Sequence, residues 1–356
     1  MTNLENLPLR PDLAGQVPYG APQIDVPIRL NVNENTHGIS EQVALRIVER
    51  IAEAALTLNR YPDREFMELR GMLAEFLGEG LTPEQIWAAN GSNEVLQQFF
   101  QAFGGPEATA LSFDPTYSMY PNISRNTLTP YVSVPREEGF VLTPDFVRTE
   151  ISKRKPSIVI LCGPNNPTGT ALSLETVEAA YESFDGMLLI DEAYQEFADG
   201  PSALTLLSDR PRLVISRTMS KAFAFAGARV GYMAADPAVV DAMRIVRLPY
   251  HLSALTQAAA MAALETSAEL LRSVDQIKVQ RERIIAGVRK LGLSPYPSEA
   301  NFVLVDGFEN PKEIFEELIG KGIIVRDVGI PGCLRITAGT EAETTRLLGE
   351  LALLLD

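Results

Sequence analysis

The segment Ser216-Arg217-Thr218-Met219-Ser220-Lys221-Ala222 sets one lysine among hydroxyls and small or apolar neighbours, and Ala226-Gly227-Ala228-Arg229-Val230-Gly231-Tyr232 follows with an arginine. Hydroxyl and guanidinium groups in this pattern can hold a phosphate. Desolvation among such neighbours lowers a lysine pKa toward the nucleophilic amine, whereas a lone lysine is ordinarily a solvated surface charge. Asp191 directly follows the apolar run 187–190 and opens Asp191-Glu192-Ala193-Tyr194. Burying an unpaired carboxylate is costly, so Asp191 is expected to meet a cationic or protonated partner, unless it serves as a helix N-cap. Ala89-Asn90-Gly91-Ser92-Asn93-Glu94 leads into an apolar helix at 95–103. Small residues, a hydroxyl and free N–H groups at a helix start form an anion seat; a plain capping turn with Ser92 or Asn93 at the N-cap accounts for the same residues. Gly163-Pro164-Asn165-Asn166-Pro167-Thr168-Gly169 reads as one rigid loop that can aim an amide side chain. Turn chemistry explains its Pro and Gly but not its paired Asn.

These segments offer a lysine for a Schiff base, an acid for a pyridinium nitrogen, and a phosphate seat of Ser92, Thr218, Ser220 and Arg229. Those are the needs of pyridoxal 5′-phosphate. Composition narrows the alternatives. The 356 residues carry 31 Lys+Arg against 46 Asp+Glu, a net charge of −15, with no basic block to neutralise a phosphate backbone, so nucleic acid is not an expected partner. Cys162 and Cys333 form no CxxC pair, which disfavours a disulfide framework or zinc cluster and fits a reducing, cytoplasmic setting. Residues 1–10 lack the apolar core of a signal peptide, and no apolar stretch of about 18 uncharged residues follows, so no membrane association is expected. Two histidines, His37 and His251, and the lack of HExxH, GxxxxGK[ST] or GxGxxG leave no expectation of a metal site or nucleotide loop.

The elements that must carry these residues alternate. Residues 1–37 read as an extended arm rich in Pro, Asn and Gly. Ser40 is a candidate N-cap for a helix whose apolar face is Val43, Ile47, Ile51, Ala54 and Leu58, and a second helix is expected over 64–77. Strands are expected at 86–89, 109–113, 131–134, 158–162, 187–190, 213–216 and 230–234. Wholly apolar runs such as 158–161 indicate a largely parallel sheet covered on both faces. The polar segments sit where strands end, the place open α/β sheets bind ligands. From 254 to about 291 the pattern is helical, as one long or two consecutive helices. Strands at 302–305, 323–325 and 334–337 and helices at 311–318 and 341–355 then make a smaller α+β lobe. The expected division is an arm at 1–37, a large α/β cofactor domain at 38–265 and a small domain at 266–356, opened by the long connecting helix.

In this setting the sequence resembles, nearly end to end, the fold-type-I PLP-dependent aminotransferases, and among them the histidinol-phosphate aminotransferase family. The motif R-T-x-S-K-A followed by A-G-x-R-x-G-Y stands complete over 217–232, N-N-P-T-G over 165–169 and D-E-A-Y over 191–194. The resemblance implies that Lys221 is the catalytic amine, that Asp191 pairs with the pyridinium nitrogen, and that Asn166 and Tyr194 face the cofactor's phenolic oxygen. It implies that Tyr117, in Asp114-Pro115-Thr116-Tyr117, stacks on the ring, and that Ser92, Asn93, Thr218, Ser220 and Arg229 hold the cofactor. Tyr61, in Arg60-Tyr61-Pro62-Asp63, matches a tyrosine that reaches the cofactor phosphate of the neighbouring subunit, which implies a homodimer. For substrate, Arg335 matches the anion-binding arginine and Arg326 is a second anion contact, a surface ion pair with Asp327 being its alternative; Tyr19, Asn93 and Tyr250 shape the pocket. The activity implied is transamination between histidinol phosphate and 2-oxoglutarate, giving imidazole acetol phosphate and glutamate in histidine biosynthesis. An aromatic amino-acid aminotransferase acting on phenylalanine is the alternative. Two departures bear on substrate preference: Asn33-Glu34-Asn35-Thr36-His37-Gly38 stands where the family often has Asn-Glu-Asn-Pro, an aromatic residue and Gly, and the segment 327–334 is short.

Overall fold

A computed structural model describes residues 6–355; residues 1–5 of the expected arm and residue 356 of the expected small domain lie outside the described residues. The strands, in chain order, are β1 Ile28–Arg29, β2 Ile86–Ala89, β3 Ala110–Asp114, β4 Tyr131–Pro135, β5 Ile158–Cys162, β6 Met187–Asp191, β7 Leu213–Thr218, β8 Gly231–Ala235, β9 Ser294–Pro295, β10 Phe302–Asp306, β11 Ile323–Ile324 and β12 Leu334–Thr337. Seven of them form the large sheet, in the order β2-β8-β7-β6-β5-β3-β4. β8 is antiparallel to both β2 and β7, and every other pair is parallel. The apolar runs are buried, 158–162 along its whole length and 188–190 after a half-buried Met187, as strands covered by helices on both faces must be.

Six carboxyl ends therefore open on one edge, Ala89, Asp114, Pro135, Cys162, Asp191 and Thr218, with the reversed β8 starting there at Gly231. Register fixes their order, pairing Cys162 with Asp191, Asp191 with Ser216, Thr218 with Gly231 and Ala89 with Gly231. The core around this sheet runs from Val43 to Leu270 and includes Trp87, Leu111, Ile160, Leu189, Ile215 and Met233. A second core gathers Val274, Ile277, Ile284, Phe302, Val303, Leu334, Ile336 and Leu347, and takes in Leu30, Tyr194 and Ala222. The arm is stitched into that second lobe. β1 pairs in parallel with β11, Leu30 N donates to Ile324 O at 2.7 Å, and Thr337 N donates to Leu30 O at 3.1 Å.

Several element ends differ from expectation for local reasons. Ser40 does cap its helix, accepting from Val43 N at 3.2 Å. The next helix starts at Met67 and not at 64, because Phe66 lies in the left-handed region and the Asp63 carboxylate takes the N–H groups of Glu65 and Met67 at 2.9 and 3.2 Å. The connector forms three helices, Ala254–Glu265, Ser267–Leu270 and Arg272–Lys290, where one or two were expected. No helix among the described residues is long and apolar enough to cross a membrane.

Candidate active site

At the carboxyl edge of the large sheet, between the two lobes, lies a cavity of about 420 Å³. Its lining includes Tyr19, Ser92, Asn93, Tyr117, Asn166, Asp191, Tyr194, Thr218, Ser220, Lys221, Arg229, Arg326 and Arg335, so the fold brings together all but two of the residues singled out by sequence. The exceptions are Tyr61 and Tyr250. They stack on one another at 4.3 Å between centroids, outside this cavity, with Tyr61 79% exposed.

One end of the cavity is an anion cradle. Gly91, at φ +86°, is the N-cap of helix Ser92–Phe103, so neither Ser92 nor Asn93 caps it; Ser92 is its first residue. A Cβ on Gly91 would collide with Arg229 Nη2, and a Cβ on Gly231 with Ser92 N and Gly91 C, so both glycines permit a close approach. Thr218 Oγ1 donates to Ser220 Oγ at 2.9 Å, and Arg229 Nη1 donates to Ser220 Oγ at 3.4 Å. Behind the cradle, Asn90 N donates to Glu94 Oε2 at 2.7 Å. The Trp87 Nε1 of β2 donates to Gln98 Oε1 at 2.7 Å, and its ring stacks on His251 at 5.2 Å.

In the middle, Lys221 Nζ donates to Val32 O at 3.0 Å. Burial, aided by the positive charges of Arg335 and Arg229, pulls its pKa from the ordinary 10.5 to about 8. Asp191 is buried at the end of β6. Its side-chain partners among the described residues are two hydroxyls: Tyr120 donates to Oδ2 at 2.8 Å and Ser216 to Oδ1 at 3.2 Å. Burial raises the Asp191 pKa and those two hydrogen bonds oppose the rise. It caps no helix, being the last residue of its strand. Tyr120 was not anticipated, since a buried tyrosine three residues past Tyr117 reads as core; Cys162, which also lines the cavity, was masked by its apolar strand. Tyr117 donates to Asn93 Oδ1 at 3.1 Å and packs edge-on to Tyr120.

The far end belongs to the small lobe. Arg326 and Arg335 pair through their backbones, with N···O distances of 3.0 and 2.8 Å. Arg335 is 7% exposed and donates to Asn166 Oδ1 at 2.6 Å and Asn31 O at 2.7 Å, while its Nε has no partner. Burial lowers its pKa to about 10. The ion pair of Arg326 with Asp327 is not formed; among the described residues no carboxylate lies within ion-pair distance of Arg229, Lys221, Arg326 or Arg335. Asn166 Nδ2 donates to the Tyr194 hydroxyl at 3.2 Å. Tyr19, from the arm, accepts from Ser118 Oγ at 2.8 Å at the mouth.

A buried carboxylate with no cationic side chain beside it suits a ligand N–H⁺, and a glycine-walled cradle plus a guanidinium with no carboxylate partner suits two anions. The residues present thus fit a phosphorylated pyridinium aldehyde and an anionic substrate. Comparison with known proteins agrees. The family profile Aminotransferase class I and II matches residues 25–351. The histidinol-phosphate aminotransferase of Paenarthrobacter aurescens is 57% identical over all of this chain and 97% of that protein, and that of Frankia casuarinae is 52% identical over 98% and 90%. Among solved structures, the histidinol-phosphate aminotransferase of Sinorhizobium meliloti in complex with pyridoxal 5′-phosphate superposes with a TM-score of 0.87 at 27% identity, covering 98% of this chain and 97% of that one.

Proposed function

Because the chain belongs to the class I and II aminotransferases, we propose that it transfers an amino group between L-histidinol phosphate and 2-oxoglutarate, giving imidazole acetol phosphate and glutamate in histidine biosynthesis, with pyridoxal 5′-phosphate as cofactor. The observation that carries this reading is one cavity with two cationic ends, Arg229 at the cradle and Arg326 with Arg335 opposite, neither neutralised by the chain's own carboxylates. A phosphorylated cofactor and a phosphorylated substrate each supply one of the missing anions.

Bound there, the cofactor supplies an electron sink that lets the substrate Cα–H bond break. Lys221 Nζ would take that Cα proton; the burial that lowers its pKa favours the neutral amine such a transfer needs. Asp191, steadied by Tyr120 and Ser216, would hold a negative charge against the cofactor's ring nitrogen. Asn166 and Tyr194 would serve its phenolic oxygen, Tyr117 would pack on its ring, and Ser92, Asn93, Thr218, Ser220 and Arg229 would receive its phosphate. Arg335 orients the substrate's phosphate ester with Arg326 beside it, and Tyr19 and Asn93 shape the space for the imidazole.

The active unit is a homodimer in which Tyr61 reaches the partner's cofactor phosphate and Tyr250, stacked on it, shapes the partner's pocket. Supporting this, both rings lie outside their own cavity, and Ile245 and Leu248 on the same segment are exposed. The chain divides into an arm at 1–37, a large domain at 38–265 and a small one at 266–356. In support, Ala254–Glu265 packs in the first core and Arg272–Lys290 in the second. Two free, buried cysteines fit a reducing cytoplasm.

Steady-state kcat/KM values for histidinol phosphate and phenylalanine, each with 2-oxoglutarate, test the assignment. Histidinol phosphate is expected to win by about tenfold or more, since its phosphate ester offers charge to both Arg326 and Arg335 where phenylalanine offers a single carboxylate; a preference for phenylalanine overturns it.

A further inference from the structure

Three consecutive carbonyls of the arm each hold a side chain, two of them from the cavity wall. Asn31 O accepts from Arg335 Nη2 at 2.7 Å, Val32 O from Lys221 Nζ at 3.0 Å, and Asn33 O from Asn301 Nδ2 at 3.1 Å. Asn33 also uses its side chain. Its Nδ2 donates to the Tyr194 hydroxyl at 3.0 Å, and its Oδ1 accepts from Thr337 Oγ1 at 3.1 Å. This orientation of the amide satisfies every group: Thr337 Oγ1 accepts from Asn33 N at 3.1 Å, gives its single proton to Oδ1 and leaves Nδ2 facing the phenol, whereas the reverse orientation leaves the threonine proton without an acceptor. Asn166 is fixed outright, because Arg335 can only donate to its oxygen.

Both lone pairs of the Tyr194 oxygen are then occupied by amide donors, at 3.0 and 3.2 Å. Its one proton has no protein acceptor among the described residues, and the tyrosine lines the cavity. Asn33 holds a backbone φ of +56°, which Asn tolerates better than other side chains able to donate from that length.

Resting on the cofactor reading above, we infer that Asn33 is a positioning residue: it saturates the Tyr194 oxygen as an acceptor so that the phenol proton is delivered to the cofactor's phenolic oxygen. A donor at that oxygen favours its ionised form, so loss of the donor moves the cofactor's own titration upward.

The test uses full-length protein loaded with pyridoxal 5′-phosphate, without substrate, and titrates its visible absorption against pH. Asn33→Gly keeps the left-handed backbone and deletes the donor. It is expected to raise the midpoint by about 0.5–1 pH unit, and Tyr194→Phe to raise it at least as far. Added to Tyr194→Phe, Asn33→Gly should move the midpoint no further. Thermal midpoints of the cofactor-free variants are read alongside. A glycine variant that loses thermal stability but titrates like wild type overturns the inference. So does one that shifts equally in both backgrounds. If wild-type protein develops no cofactor band, the cofactor reading itself falls, and this inference with it.

Discussion

Lys221 is held in a place that penalises its charge, and the penalty has a pH signature. In the folded chain burial and the nearby arginines bring its pKa to about 8, against 10.5 for the unperturbed group. Between these values the unfolded chain binds more protons than the folded one, so stability rises with pH across that window as the buried charge is released. Below it the destabilisation is fully present. Urea midpoints of cofactor-free wild type and Lys221→Met, taken from about pH 7 to about pH 10, should show the wild type gaining on the variant; parallel curves contradict the assignment. In the loaded enzyme, Lys221→Ala should lower kcat about 10²–10⁴-fold while the far-ultraviolet spectrum is unchanged. Tyr120→Phe leaves Asp191 with Ser216 as its only side-chain donor, and should lower folding stability by about 1–3 kcal/mol in denaturant titrations near neutral pH.

The cradle depends on how closely the turn at 91–92 approaches β8. A methyl at Gly231 meets backbone on that turn, which cannot swing aside as a flexible side chain can, whereas Gly227 has open space around its Cβ position. Gly231→Ala should therefore cost about 1–3 kcal/mol and weaken binding of the cofactor, with Gly227→Ala near wild type in both calorimetric assays. The strands that build this edge were legible because their apolar runs have no competing period, and most lie within a residue of expectation; β3 and β8 begin one residue late. The two-residue strands β1 and β9 were not legible, since pairing of so short a segment is decided by its distant partner. The Lys221, Asp191, Asn166 and Arg229 segments announced themselves by residue types that a core or a turn does not need. Tyr120 and Asn33 did not: one is indistinguishable from a packed aromatic, and the other acts through a phenol 161 positions away.

At the scale of the molecule, the exposed Tyr61–Tyr250 stack separates one-chain from two-chain sites. If Tyr61 acts on a partner's cofactor, Tyr61→Ala and Lys221→Ala proteins, each weak alone, should recover activity when unfolded and refolded together. The mixed dimer then holds one site with both groups intact; mixtures no more active than the average of the two parents would show a site confined to one chain. The chain has one tryptophan, and Trp87 sits on the strand that ends at the cradle, stacked on His251 and bonded to Gln98. Its emission thus comes from a single, known address a few residues from the Gly91–Ser92 turn of the cradle. Loading of the pocket can be followed by the quenching of that one fluorophore, without a label and without a turnover assay.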